Sequence, residues 1–241
     1  MGRVSAPFSA VALKQIVNDA AEEVSESLRE MAAAGTAVGG IAYTLELLAQ
    51  TISDRPTIED LVQIVATGPQ VTNVANRDTS VVVSDLFSRA EESVVVVGYA
   101  VYQGQKVFQS LAARMGHRPE LNVRMYLDIG RKPGDTTIES DLVRRFSHHF
   151  RTTQWPHGTR LPAVYYDPRS AALDRAGAAS LHAKCVVVDG KHVFVSSANF
   201  TEAGQTKNVE LGLLVNSKGL AERITDFFEQ LVEERFLKRA I

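Results

Sequence analysis

Four consecutive valines at residues 94–97, closed by Gly98, constrain this chain more than any other feature. A β-branched run without polar alternation is stable as a strand only when both of its faces are covered. That places helices on both sides of a sheet. Further strands are expected over residues 122–129, 163–166, 182–189, 192–199 and 209–215, with helices over 79–92, about 105–115 and about 137–150. Strands alternating with helices predict an α/β domain built on a mixed, largely parallel sheet flanked by helices, ending in strands close together in sequence. A last helix carries Leu220, Ile224, Phe227, Phe228, Leu231 and Val232 on one stripe, a core-facing pattern. The stretch 156–179, rich in Pro, Gly, Ala and Arg, reads as a surface loop apart from the strand at 163–166.

The first part has a different texture. Leu13, Ile16, Val17, Ala20, Val24, Leu28 and Met31 recur at helical spacing, and Gly35 follows as a stop. A second helix is expected over 41–51. A third is expected from Thr57, as N-cap after Pro56, to the Thr67-Gly68-Pro69 step. Residues 1–76 are therefore read as a helical N-terminal region and residues 77–241 as the α/β domain.

The net charge of −2 hides an asymmetry, since residues 1–76 carry four basic and nine acidic side chains. Residues 103–160 reverse this, with ten basic and five acidic. Arg144, Arg145, Arg151 and Arg160, with His148, His149 and His157, could follow a phosphate backbone, Trp155 serving as a stacking platform. The plainer alternative is a solvated helix face and loop. Cys185 is the single cysteine, which excludes an internal disulfide framework and suits a reducing compartment. The N-terminus has neither the order of a secretory signal nor, with Ala6 in place of Ser or Thr, a myristoylation pattern. No apolar window is long enough to span a bilayer. The reading is a cytoplasmic protein with no membrane partner.

The chemistry concentrates in SLHAKCVVVDGKHVFVSSANFT, residues 180–201. On extended backbone, His182 and Lys184 share a face, as do Ser197 and Asn199, and Glu210 opens the next strand. Strand ends of an α/β sheet are where ligands bind. His182, Lys184, Asp189, Ser197 and Asn199 stand at the gaps His-x-Lys-x4-Asp-x6-Gly-Ser-x-Asn, with Ser196 in place of Gly. This resembles the HKD motif of the phospholipase D superfamily, and the resemblance extends to Glu210. The segments at 67–69, 97–102 and 208–212 are also similar to the phospholipase D-like component of the DISARM anti-phage system.

That resemblance implies a phosphodiesterase needing no metal or cofactor. The chain has one motif copy, and single-motif members of the family build the site across a twofold axis, so a homodimer is implied. Each protomer would then supply one His182 and one Lys184. One imidazole attacks phosphorus; its twin protonates the leaving alcohol and later activates water. Lys184, Asn199 and the Ser197 hydroxyl would neutralise developing charge, and Glu210 would hold the imidazole tautomer. Asp189, on the other strand face, is expected to be structural. The implied substrate is nucleic acid, DNA or RNA, with other defence proteins as further partners. Two rivals are a lipid phosphodiesterase using the same residues and an assembly subunit with a vestigial site. Ser196 alone favours the second, because a side chain there restricts the backbone if positive φ is needed.

Overall fold

The computed structural model describes residues 8–53, 56–69, 77–173 and 178–241. The chain divides into two compact units, residues 1–57 and 58–241.

In the first unit, α1 (Ala10–Val17), α2 (Ala21–Ala33) and α3 (Val38–Ser53) enclose a small core of Phe8, Leu13, Ala21, Leu28 and Ile41. The single stripe expected over 13–31 is interrupted. Asn18 adopts φ 49° and a 3-10 turn spans Asn18–Ala20, so Ala20 points to solvent. Asn tolerates this left-handed conformation better than other L residues. Gly35, at φ 87°, ends the helical hairpin as expected.

The helix expected over 57–67 is corrected. Only one turn forms, α4 (Ile58–Leu61), and residues 62–67 become strand β1 (Val62–Thr67). Its β-branched residues pair antiparallel along the later strand at 210–216, with Val65 fully buried. Tertiary pairing overrode a local start signal. These residues therefore belong to the sheet unit.

The remaining elements follow in order. They are β2 (Arg77–Asp78), α5 (Thr79–Arg89), β3 (Ser93–Gly98), β4 (Val101–Tyr102), α6 (Gly104–Val107), α7 (Gln109–His117), β5 (Asn122–Leu127) and α8 (Glu139–His149). Then come β6 (Ala163–Tyr166), β7 (Cys185–Val188), β8 (His192–Ser196), β9 (Phe200–Thr201), α9 (Glu202–Thr206), β10 (Glu210–Asn216), α10 (Lys218–Glu233) and β11 (Lys238–Arg239). Among the described residues nine strands form one sheet in the order β11-β6-β5-β3-β7-β8-β10-β1-β2. It is mixed rather than largely parallel: β3–β5, β5–β6 and β1–β2 are parallel, whereas the other five pairs are antiparallel. The cause is the short connection between late strands. Asp189 and Gly190, at φ 51° and 57°, make a tight turn closed by Lys191 N–H to Val188 O.

The valine run behaves as its composition requires. Val94 and Val96 enter a core with Phe87 of α5 and Leu111 of α7, while Val95 and Val97 enter a second core with Ala221 and Phe228 of α10. Each fully buried side chain of this size contributes about 1.5–3 kcal/mol, an upper bound set by the extended-chain reference. The same face that α10 covers continues over β8, β10 and β1, where its apolar side chains are exposed among the described residues. There Val195, Leu213 and Ile64 lie in one cross-strand row, each more than 40% exposed, beside Leu211. No helix among the described residues is long and apolar enough to cross a membrane.

Candidate active site

Register brings the chemistry to one end of the sheet. Gly98 at the end of β3 pairs with Leu127 at the end of β5, Val97 with Cys185, Cys185 with Val195, Ser196 with Gly212, and Glu210 with Thr67. The loops at this end carry Tyr99, Asp128, His182, Lys184, Ser197 and Asn199, and Glu210 is the first residue of β10. This is the carboxyl end of the parallel strands. His182, Lys184, Ser197 and Asn199 lie just outside the strands, which are shorter than expected.

Exposed His182 lies between two buried anchors, Leu181 directly before it and Cys185 three residues after it. Leu181 is buried, and its N–H donates to Asp128 Oδ1 at 3.0 Å. Cys185 is buried in the second core, where desolvation pushes its thiol up to about 12, so it is not a competing nucleophile. The Lys184 ammonium donates to the His182 carbonyl at 2.9 Å and stands 3.4 Å from His182 Nδ1. Tyr99 completes the group, with its ring centroid 4.5 Å from that of His182 and 5.7 Å from Lys184 Nζ. At that distance the ring face attracts the cation.

Sequence reasoning missed Tyr99 and Asp128 as site residues. Asp128 follows an apolar strand directly, and a carboxylate at a strand end was the available signal. Burial raises its pKa; the Leu181 N–H lowers it, Asp167 raises it, and His182 lowers it slightly.

Glu210 accepts from Ser197 Oγ at 2.5 Å and from Asn208 Nδ2 at 3.1 Å. No hydrogen bond joins Glu210 to His182 among the described residues. The Ser197 hydroxyl therefore has its proton committed to Glu210, while its oxygen accepts the Leu211 N–H at 3.2 Å. Asn199 is held through its carbonyl, which accepts from Gln205 Nε2 at 3.1 Å and from Thr201 N at 2.8 Å. Gly204 packs so closely beneath that a Cβ there would lie 2.7 Å from Asn199 O. The Asn199 amide oxygen is buried and has no partner among the described residues, an arrangement that costs free energy unless a ligand completes it.

Ser196 sits in extended β8 and is absent from the positive-φ positions. Its cross-strand partner Gly212 has no side chain, and its hydroxyl accepts the Ala198 N–H at 3.0 Å. The backbone restriction feared from a Ser here does not arise. Asp189 lies at the far end of β7, where its carboxylate accepts N–H groups of Glu91, Glu92 and Ser93 at 2.8–3.1 Å.

Of the basic segment, Arg144, Arg145, Arg151 and Arg160 are exposed, whereas its aromatic residue is withdrawn. Trp155 is 1% exposed, packed against Phe108 and Phe150, and donates Nε1–H to Arg160 O, so it cannot stack on a base. A large ring flanked by Phe108 and Phe150 gains more from the core than from solvent. Arg144 pairs with Asp141, Arg145 donates to Thr137, and Arg160 donates to Leu121 O. His149 and His157 meet Thr153 and Gln105, and Arg151 and His148 are exposed. Among the described residues no three His, Cys, Asp or Glu side chains gather as a metal site.

Residues 28–232 match the family described as cardiolipin synthase, PLD-like domain. Of characterised proteins, the DISARM protein DrmC of Bacillus paralicheniformis is 28% identical over 198 residues, covering 82% of this chain and 73% of that protein. Cardiolipin synthase C of Escherichia coli is 40% identical over 60 residues, covering 25% of this chain and 11% of its own length. Among solved structures, the phospholipase D family member Nuc from Salmonella typhimurium aligns at TM-score 0.46 and 18% identity, over 74% of this chain and 96% of its own. NucT from Helicobacter pylori aligns at 0.47 and 14%, over 71% and 96%.

Proposed function

Because this chain belongs to the phospholipase D-like family that its residues 28–232 match, we propose that it is a metal-independent phosphodiesterase cutting nucleic acid in bacterial anti-phage defence. One observation carries the reading. An exposed imidazole and an ammonium group stand 3.4 Å apart at the end of the sheet whose loops also carry Ser197 and Asn199. The likeness to the DISARM protein DrmC supports the defence setting.

Lys184 Nζ occupies the Nδ1 side of the imidazole, which leaves Nε2 as the nucleophile. Nε2 forms the bond to phosphorus as the bond to the leaving alkoxide breaks, and the partner subunit's His182 gives that alkoxide its proton. The partner subunit's imidazole then takes a proton from water, whose oxygen displaces Nε2 from phosphorus. Two ammonium groups, one Lys184 from each copy, balance the charge that develops on the non-bridging oxygens. One chain holds half of this set, so the site is completed by a second copy. The exposed apolar row Val195-Leu213-Ile64, reaching towards Ser197 and Glu210, supports that association.

A lipid phosphodiesterase is the second reading, favoured by the 60-residue likeness to cardiolipin synthase C. The deciding experiment incubates the protein in excess chelator with labelled single- and double-stranded DNA, RNA and phosphatidylglycerol vesicles, beside His182→Ala. Nucleic acid cut by the parent alone is the expected result. Cleavage retained by His182→Ala overturns the assignment, and inactivity of both supports an assembly subunit.

A further inference from the structure

Beside His182 the surface sinks into a pocket of about 190 Å³. One wall is the backbone turn carrying His182, and the other is the end of α10 and the residues after it. Its floor is core: Phe228 and Leu237 are 7% and 5% exposed. Its rim is not. Phe227 and Phe236 stand 56% and 48% exposed, with Phe227 edge-on to Phe228 at 5.2 Å. Arg169 closes the rim, its guanidinium forked onto the buried carboxylate of Asp167 through Nε and Nη2 at 2.7–3.1 Å. That fork fixes the plane of the cation and leaves its remaining edge to solvent, where the side chain is 60% exposed.

Two solvent-facing phenylalanines and a fixed planar cation next to the reacting imidazole suit a planar, polar-edged ring attached to a phosphate. Aromatic side chains stack on nucleobases irrespective of sequence, and Arg matches phosphate geometry. The volume is below the roughly 300 Å³ at which pockets for drug-sized ligands begin. It therefore admits one ring and neither a base pair nor two acyl chains.

We propose that this pocket binds one unpaired nucleobase flanking the scissile phosphate, with Phe227 and Phe236 as its stacking surface and Arg169 directed at the adjoining phosphate, making the protein selective for single strands. The proposal rests on the nuclease reading above and specifies its substrate.

The test measures kcat/KM on a single-stranded oligonucleotide for the parent, Phe227→Ala and Phe236→Ala, with an abasic residue walked past the cut site. Both rings are half exposed, so truncation spares the core, and circular dichroism melts confirm it. Phe236→Ala is expected to lower kcat/KM about tenfold, mainly through KM. One abasic position should cost the parent a similar factor and cost Phe236→Ala little more, since the two changes remove the same contact. Binding is read separately with a 2-aminopurine oligonucleotide and the His182→Ala protein, whose fluorescence should fall on mixing and fall less when Phe236→Ala is added. An active parent indifferent to both the ring substitutions and the abasic walk overturns the pocket and leaves the nuclease reading standing. A parent that cuts no nucleic acid removes both. A loss seen only on phosphatidylglycerol vesicles overturns the nucleobase in favour of lipid.

Discussion

Ser197 Oγ donates to Glu210 Oε2 at 2.5 Å, so the end of β8 is tied to the start of β10 through the hydroxyl that would otherwise face the phosphate. Ser197→Ala should therefore act on the loop more than on the substrate. We expect a stability loss of about 1 kcal/mol and a KM change under about threefold, measured by thermal melting and steady-state kinetics. A tenfold rise in KM with an unchanged melting curve would show that Ser197 serves the phosphate directly.

In the proposed mechanism one His182 attacks phosphorus while its twin delivers a proton, so one must be neutral and the other protonated, and the rate should follow a bell-shaped pH profile. Mixing His182→Ala with a Lys184→Ala protein should restore no normal site, because every hybrid lacks one imidazole and one ammonium. Recovery of parental activity in the mixture would rule out the shared site.

Leu213 is 45% exposed at the centre of the exposed row on β8, β10 and β1. Leu213→Glu should convert the proposed dimer to a monomer and abolish turnover while each chain keeps its fold by circular dichroism, since Leu213 is half exposed in the single chain. Light scattering and cleavage assays check both outcomes. A variant that stays dimeric and active places the association elsewhere.

Asp189 accepts three backbone N–H groups at the junction of α5 and β3, far from the imidazole. Asp189→Ala strands those donors and should cost about 2–3 kcal/mol, read by urea unfolding. Activity of the folded fraction should persist. A loss of kcat without a loss of stability would assign Asp189 to the chemistry.

Asp128 is held above the ordinary carboxylate range chiefly by burial. The folded state then binds its proton more tightly than the unfolded chain. Its contribution to stability is greatest below about pH 3.9, the unperturbed value, and is lost as pH rises through the raised folded value. Asp128→Asn keeps an acceptor for Leu181 N–H and removes that slope. Urea unfolding from acid to neutral pH should show the variant gaining on the parent as pH rises, with kcat changed only a few-fold. Parallel stability curves would mean that the carboxyl does not titrate in this window.

Much of this was legible in the sequence, and the reason is locality. The run Val94–Val97 dictated a strand covered on both faces, because no other arrangement hides four β-branched side chains. The gaps from His182 to Asn199 carried the resemblance to the HKD motif, because they depend only on order along the chain. Locality also explains the errors. Residues 57–60 carry a helix start signal and residues 62–67 a β-branched run, and only the pairing of 62–67 with 210–215 across the sheet decided between them. Trp155 sits in a basic stretch, yet Phe108 and Phe150, distant or unremarkable in sequence, bury it. Glu210 meets Ser197, thirteen residues away in sequence, through the pairing of β8 with β10.

The sequence by itself determined the covered strand, the motif and the apolar stripe of α10, all properties of residues near one another along the chain. The tertiary structure alone decided that Asp128 anchors the His182 turn, that Gly212 makes room for Ser196, and that Phe227, Phe236 and Arg169 frame a pocket beside the imidazole. Those meetings depend on strand order and register across the sheet, which bring together side chains that the chain keeps far apart.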